Sequence, residues 1–476
     1  MKPGLACLTF VAALCASESA QAQTSAAPQQ IPAAISTAGT QSPLNGGLPF
    51  GSPTAGILPL SIRDAVGRGL RHNLGVALSR QNVRSAESLR LRSLGSLLPH
   101  ITVQTSEAVH QVNLAAVGFS GFPGVHPIVG PFSVFDVRAL YSQSLLNLSE
   151  IDEVHAGTEN LKAAAQSDKN TRDLVVLICL QLYMQAVAAN SRIEAAHTQL
   201  RTAETLYELA QNRKTAGFAA GIEVLRAQVQ LQAQQQRLMV ADNEFAKSKL
   251  SLAQAIGLPI GQEFQLTDSI PYEPLDALGL EDAVQEGLRS RGDYQSQLSR
   301  VKAAELSRRA AARQRMPSLD LSANYGDIGQ RPTSSHGSFG VAVSLRIPVF
   351  QGREIEARIL EADAQLEQQK AFLESLRARI HYEIRTAFLD LKSAEDRVRV
   401  ARSSLDLANE QVVQAQDRFA AGVASNIEVV QAQDALAVAD ENYISSVYAH
   451  NLAKAALAGA MGVAEIGYEG FLQGRR

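Results

Sequence analysis

The chain has 476 residues, a formal net charge of −3, 46% apolar and 19% charged residues, and no tryptophan. That balance supports a buried core and gives no sign of nucleic acid as a partner, whose binders usually show a basic face. The nine histidines show no zinc spacing to nearby acids, and no P-loop, paired-glycine dinucleotide turn or nucleophile elbow occurs; no enzyme centre, cofactor or metal is expected.

Residues 1–22 read as a secretory signal: Lys2, an apolar stretch from Leu5 to Cys15, and Ala20-Gln21-Ala22 as a small-residue cleavage site. The stretch is too short to cross a bilayer as a helix. Cys15 could carry a lipid, but Leu14 precedes it where lipoprotein signals need a small residue. Cys7 and Cys15 lie in the signal and Cys179 stands alone beyond it, so no intramolecular disulfide is possible. Residues 23–56, interrupted by Pro28, Pro32, Pro43, Pro49 and Pro53, read as a disordered tether.

The remainder is written twice, as a first repeat over 57–262 and a second over 280–463, with a linker at 263–279 and a tail at 464–476. At a shift of 218, Asp64, Ala65, Val66, Gly69, Leu70 and Arg71 lie on Asp282, Ala283, Val284, Gly287, Leu288 and Arg289. At a shift of 205, Arg213, Ala216, Gly217, Ile222, Glu223 and Val224 lie on Arg418, Ala421, Gly422, Ile427, Glu428 and Val429. The change of shift, 13, makes the first copy longer between Pro99 and Arg213. The loop from Val117 to Pro131 is the expected place for the excess.

Each copy predicts the same order of elements. A helix over Leu60–Leu98, or Leu280–Met316, stops at Pro99 or Pro317. Two alternating strands follow, the second over Val134–Leu148 in one copy and Phe339–Ile347 in the other. A proline-free helix then runs over Glu150–Ala216, or Arg353–Ala421, and would reach about 100 Å. After a glycine turn, a return helix runs to Gly257 or Gly462. Ile384, Leu391, Val398, Leu405, Val412 and Phe419 recur every seven residues, with Ala387, Ala394, Ala401, Ala408 and Ala415 three positions on. Such a repeat supercoils helices left-handedly. No segment beyond the signal has eighteen uninterrupted apolar residues, so membrane spans must be strands. Four strands are too few to close a transmembrane barrel alone. A coiled-coil scaffold without a pore, in the periplasm or at the cell surface, is the alternative reading.

These features resemble the TolC-like outer membrane efflux family over about residues 58–465. The doubled helix-Pro-strand motif, the segment Leu345-Arg346-Ile347-Pro348-Val349-Phe350-Gln351-Gly352, and the tip Arg418-Phe419-Ala420-Ala421-Gly422 with Ile427-Glu428-Val429 carry the resemblance. It implies an α+β membrane protein: a homotrimer with a 12-stranded β-barrel, four strands per chain, in outer-membrane lipid, continued by a periplasmic α-helical barrel. The implied role is a passive exit duct of a tripartite efflux or type I secretion system. Its partners would be a periplasmic adaptor and an inner-membrane pump. The first copy departs from the family at Leu145-Leu146-Asn147-Leu148-Ser149, where a Pro, a Phe and a Gly are common.

The resemblance also suggests working residues. Glu428 would line the periplasmic constriction, where three copies make an anionic, cation-selective ring; alternatively it is a solvated first-turn carboxylate favoured by the helix dipole. Glu223, its counterpart, would help hold the tip closed. Gln431 stands where relatives can carry a second acid, and Ala424 where a basic latch residue can occur. Phe419 is either a gate aromatic or a core residue of the heptad series. Gly217 and Gly422 make the tip turns; Pro348, Phe350 and Gly352 make the strand-to-helix junction. Phe119, Phe122, Phe132, Phe135, Tyr141, Tyr325 and Phe339 form a barrel girdle or pack loops.

Overall fold

A computed structural model describes residues 42–54, 56–118, 126–218, 220–269, 272–275 and 278–472. The signal, Cys15, Phe119 and Phe122 lie outside the described residues. The first elements are β1 (Leu58–Leu60), α1 (Ile62–His72), α2 (Leu74–Gly95), β2 (His100–Asn113), β3 (Ile128–Leu146), α3 (Leu148–Thr215) and α4 (Gly221–Ala255). Then come β4 (Phe264–Leu266), α5 (Leu280–Ser290), α6 (Gly292–Arg313), β5 (Ser318–Gly329), β6 (His336–Arg346), α7 (Glu354–Ala420), α8 (Asn426–Ala460) and α9 (Ala464–Leu472).

The first helix of each copy is broken once, which corrects the single helices expected over Leu60–Leu98 and Leu280–Met316. At Asn73 the backbone turns extended (ψ 135°), and the side chain caps α2 by accepting from Gly75 N–H. Its amide donates to the carbonyls of Leu44 (2.7 Å) and Ala255 (3.1 Å). At Arg291 (ψ 122°) the buried guanidinium pairs with Asp293 and Glu383. In both places a buried polar side chain is satisfied only if the helix opens to admit its partners.

Asn73 also explains a second correction. Residues 42–54 belong to the fold, not to a tether reaching 56. A 3-10 turn at Pro43–Asn45 presents the Leu44 carbonyl, Leu48 N–H donates to His72 O (2.7 Å), and Leu74 N–H to Gly46 O (2.8 Å). Gly47 passes so close to Gln254 and Gly257 that any Cβ would collide. The linker 263–279 is likewise structured in part: β4 pairs in parallel with β1, burying Leu60 and Phe264. The tail contains α9, which buries Ala464, Tyr468 and Phe471.

Where α1 crosses α3, a side chain at Gly69 would strike Cys179; where α5 crosses α7, one at Gly287 would strike Ile384. The matched glycines therefore permit matched crossings, each seeding an apolar cluster. One holds Val175, Val176, Leu180, Tyr183 and Met184; the other holds Val284, Ile380, Ile384 and Leu457. By length and composition α3 could cross a membrane, but half of its apolar window is buried inside this chain. It is a core helix, and it qualifies the expectation that composition alone singles out strands. In the heptads, the small members Ala227, Ala241, Ser248, Ala387, Ala394, Ala401 and Ala408 are buried, letting helices approach closely. Beyond the clusters, α4 packs on α3, α3 on α8 and α8 on α7, so α4 and α7 are the outer helices.

The four long strands form one antiparallel sheet in the order β2-β3-β5-β6, leaving β2 and β6 as edges. β3 begins at Ile128, six residues before the expected start. The 13-residue excess is therefore divided. Residues 114–127 replace the shorter connection 330–335, β3 is longer than β6, and the junction after β3 is shorter than that after β6.

Candidate functional site: hairpin tips, junctions and the two sheet faces

Both long hairpins turn through glycine in the left-handed region, Gly217 at φ +80° and Gly422 at φ +77°. Phe218 N–H closes on Arg213 O at 2.8 Å, and Val423 N–H on Arg418 O at 3.1 Å. These are paired Schellman turns, which need a residue free of Cβ strain at the bend. Glu428 and Glu223 lie in the first turns of α8 and α4. Glu428 is exposed, and its Oε2 lies 3.3 Å from Arg418 Nε, so its charge is partly compensated. Glu223 is half-buried. Exposed Gln431 lines an apolar groove between α4 and α8 with Ile222, Leu225, Val229, Ile427 and Val430.

Phe419 does not line a pore: it is 2% exposed and packs with Leu206, Val412 and Val429. A side chain already enclosed by its own chain has no surface for a lumen, so of its two readings only core packing stands.

Arg213 is the tip residue that sequence reasoning passed over. It reaches from the first hairpin to the second, donating from Nη1 to Phe419 O (2.8 Å) and from Nη2 to Ala420 O (3.4 Å). Its guanidinium sits 4.6 Å from the Phe419 ring centroid. It thereby caps two terminal carbonyls of α7, where a cation suits the helix dipole, and gains a cation–π contact. Its register with Arg418 was the available signal.

The junctions differ. After β6, residues 347–353 leave Val349 and Phe350 almost wholly exposed, and Gly352 (φ +58°) and Arg353 (φ +68°) turn the chain into α7. Pro348 lies in the extended stretch before that turn. After β3, one residue suffices: Asn147 accepts from Ser149 N–H (3.2 Å) and Glu150 N–H (3.3 Å), capping α3. The family's Pro-Phe-Gly segment is replaced here by an N-cap.

The sheet has two chemically distinct faces, because neighbouring residues on a strand point opposite ways. One face carries the paired rows Leu319–Leu345, Leu321–Val343, Ala323–Val341 and Tyr325–Phe339, extended by Ile101, Val103 and Tyr141. The other carries His100, Thr102, Gln104, Ser142, Ser144, Ser322, Asn324 and Ser344. Phe135, Tyr141, Tyr325 and Phe339 share the apolar face, whereas Phe132 shares the polar face with His110. Apolar outside and polar inside is the pattern of a membrane barrel wall.

Edge strands, a two-faced sheet and paired helical hairpins define the subunit of an outer-membrane channel. The family model described as outer membrane efflux protein matches residues 136–258 and 283–463, and the chain belongs to that family. It is 26% identical over 361 residues to the pyoverdine export outer membrane protein OpmQ of Pseudomonas aeruginosa, covering 73% of this chain and 71% of the relative. It is 26% identical over 297 residues to protein CyaE of Bordetella pertussis, covering 60% and 61%. The outer membrane channel CmeC of Campylobacter jejuni superposes with a TM-score of 0.74 at 16% identity, covering 87% of this chain and 90% of that one. The family is one of non-enzymatic outer-membrane conduits with a periplasmic helical extension, which decides against the pore-less scaffold.

Proposed function

We propose that three copies assemble head to tail into one duct, an exit conduit for an efflux or secretion complex. The observation that carries this reading is that both kinds of edge are free in a single chain. β2 and β6 each present an unpaired edge, and a transmembrane sheet is tolerated only when closed. Joining β6 of one copy to β2 of the next closes twelve strands, three times four. The outer helices match this direction. On α7, Tyr382, Leu389, Val400 and Leu407 are exposed; on α4, Leu225, Val229 and Met239 are exposed; on α2, Leu78 and Leu89. A contact between unlike edges generates a ring. Outer-membrane lipid would surround the apolar sheet face, and the tips would meet a periplasmic adaptor and an inner-membrane pump.

In this assembly Glu428 recurs three times around the axis, each with Arg418 beside it. The ring is therefore weakly cation-selective, the more so because Gln431 adds no charge. The duct itself consumes no nucleotide; energy comes from the pump. Purified trimer in planar bilayers is expected to show single channels preferring K⁺ over Cl⁻, with the preference lowered by Glu428→Gln. A protein silent both as wild type and as Glu428→Ala would sink the proposal.

A further inference from the structure

The polar face of the sheet is nearly free of permanent charge. Asp320 and Arg346 lie toward the helical end; further out, among the described residues, the register places only Asp136 and Arg138 as ionised groups on this face. They are two residues apart on β3 and grip each other twice, Arg138 Nε to Asp136 Oδ1 at 3.0 Å and Nη2 to Oδ2 at 2.9 Å. A bidentate Arg–carboxylate pair is the geometrically specific kind. Both side chains are less than a third exposed even in the single chain.

The neighbours fit this pair. Arg138 lies across from Gln104 on β2 and Gly326 on β5, and Gly326 across from Ser338 on β6. A Cβ at Gly326 would lie 2.8 Å from that of Arg138, so the glycine makes room beside the arginine. Asp136 faces Ser106 and Ile328. No third charge competes for either partner, so the two cancel locally.

We propose that Asp136 and Arg138 form a charge-compensated belt that sets the ion selectivity of the β-barrel. Resting on the trimeric duct proposed above, three pairs line the lumen at one level with no net charge. Opposite charges in contact present only a dipole to an ion several ångströms away, and salt screens it further. The barrel then favours neither sign, and selection by charge is left to the tip. Removing one partner exposes three like charges at one level, and a multivalent ion entering from outside meets a ring.

The test uses full-length trimers in planar bilayers, all carrying Glu428→Gln so that the tip acids do not compete. Hexaamminecobalt(III), a trivalent cation, and pyrophosphate are added to the outer side. Arg138→Gln is expected to tighten block by the cation at least tenfold, and Asp136→Asn to tighten block by pyrophosphate at least tenfold. The double variant, which removes the pair but restores neutrality, is expected to return both constants to those of the parent. Single variants with unchanged block overturn the belt, as does a double variant that behaves like either single. Loss of the heat-modifiable trimer in all three variants assigns the pair to assembly and overturns it too. A parent that conducts nothing overturns the duct instead, so the two failures are distinct.

Discussion

The two hairpins place the same residue types at matched positions and use them differently. Arg213 and Arg418 each sit four residues before their Schellman turn. Arg213 crosses to the other hairpin and holds the end of α7, whereas Arg418 stays in its own hairpin and meets Glu428 near solvent. Nearer the core clusters, Phe245 and Lys249 match His450 and Lys454 in the same register. Lys249 lies over the rings of Phe245 and Phe264. Lys454 is wholly buried, donating to Glu273 O (2.9 Å) and Leu472 O (3.0 Å), while His450 packs on Tyr272 with ring centroids 4.8 Å apart. Duplication supplied matched positions; the parts of the inter-repeat segment that reach them, Phe264 at Lys249 in the first copy and Tyr272 and Glu273 at His450 and Lys454 in the second, decided what the side chains there do.

The largest expected effect would break the equivalence of the tips. Arg213→Ala removes hydrogen bonds from a charged donor and a cation–π contact, together about 2–4 kcal/mol. It should free the second hairpin and raise single-channel conductance several-fold. Arg418→Ala removes an exposed pair of about 0–1 kcal/mol and should change conductance less than twofold. Equal effects in the two variants would refute the asymmetry.

A smaller effect concerns the second copy's histidine. Burial, helped by the Lys454 charge, pushes the His450 imidazolium pKa down to about 4. The unfolded chain therefore binds the proton more readily than the folded one, so stability present above the ordinary value near 6.5 is lost as pH falls toward 4. The loss amounts to at most about 3 kcal/mol per chain. His450→Phe, which copies the residue of the first repeat, should flatten this component. Melting followed by circular dichroism at pH 7.5 and 4.5 checks it; an unchanged acid shift in the variant would count against the assignment.

The smallest effects contrast the junctions. Asn147→Ala removes the cap of α3 and should destabilise by about 1 kcal/mol. Arg353→Gly relieves a non-glycine residue at φ +68° and should stabilise by up to about 1 kcal/mol, offset by the entropy glycine loses on folding. Denaturation midpoints of opposite sign are the expected result, and two losses would mean the second junction is not strained.

Much of this was legible before any coordinates. The long helices, their glycine turns and the four strands follow from periodicity, because a helix or a strand must bury one face and writes its period into the chain. The breaks at Asn73 and Arg291 were not legible, since each depends on partners far away in sequence: Leu44 and Ala255 for one, Glu383 for the other. The folding of residues 42–54 escaped for the same reason, as proline-rich composition reports weak local preference and not the groove the segment fills.

By itself the sequence determined the duplication, the elements and their order, the tip residues Glu223 and Glu428, and the membership these imply. Tertiary structure alone decided that Phe419 is enclosed, that Arg213 crosses between hairpins, and that Asp136 and Arg138 share the polar face. The physical reason is that period and turn chemistry act over a few neighbouring residues, whereas enclosure, ion pairing and facing depend on which distant strand or helix arrives alongside.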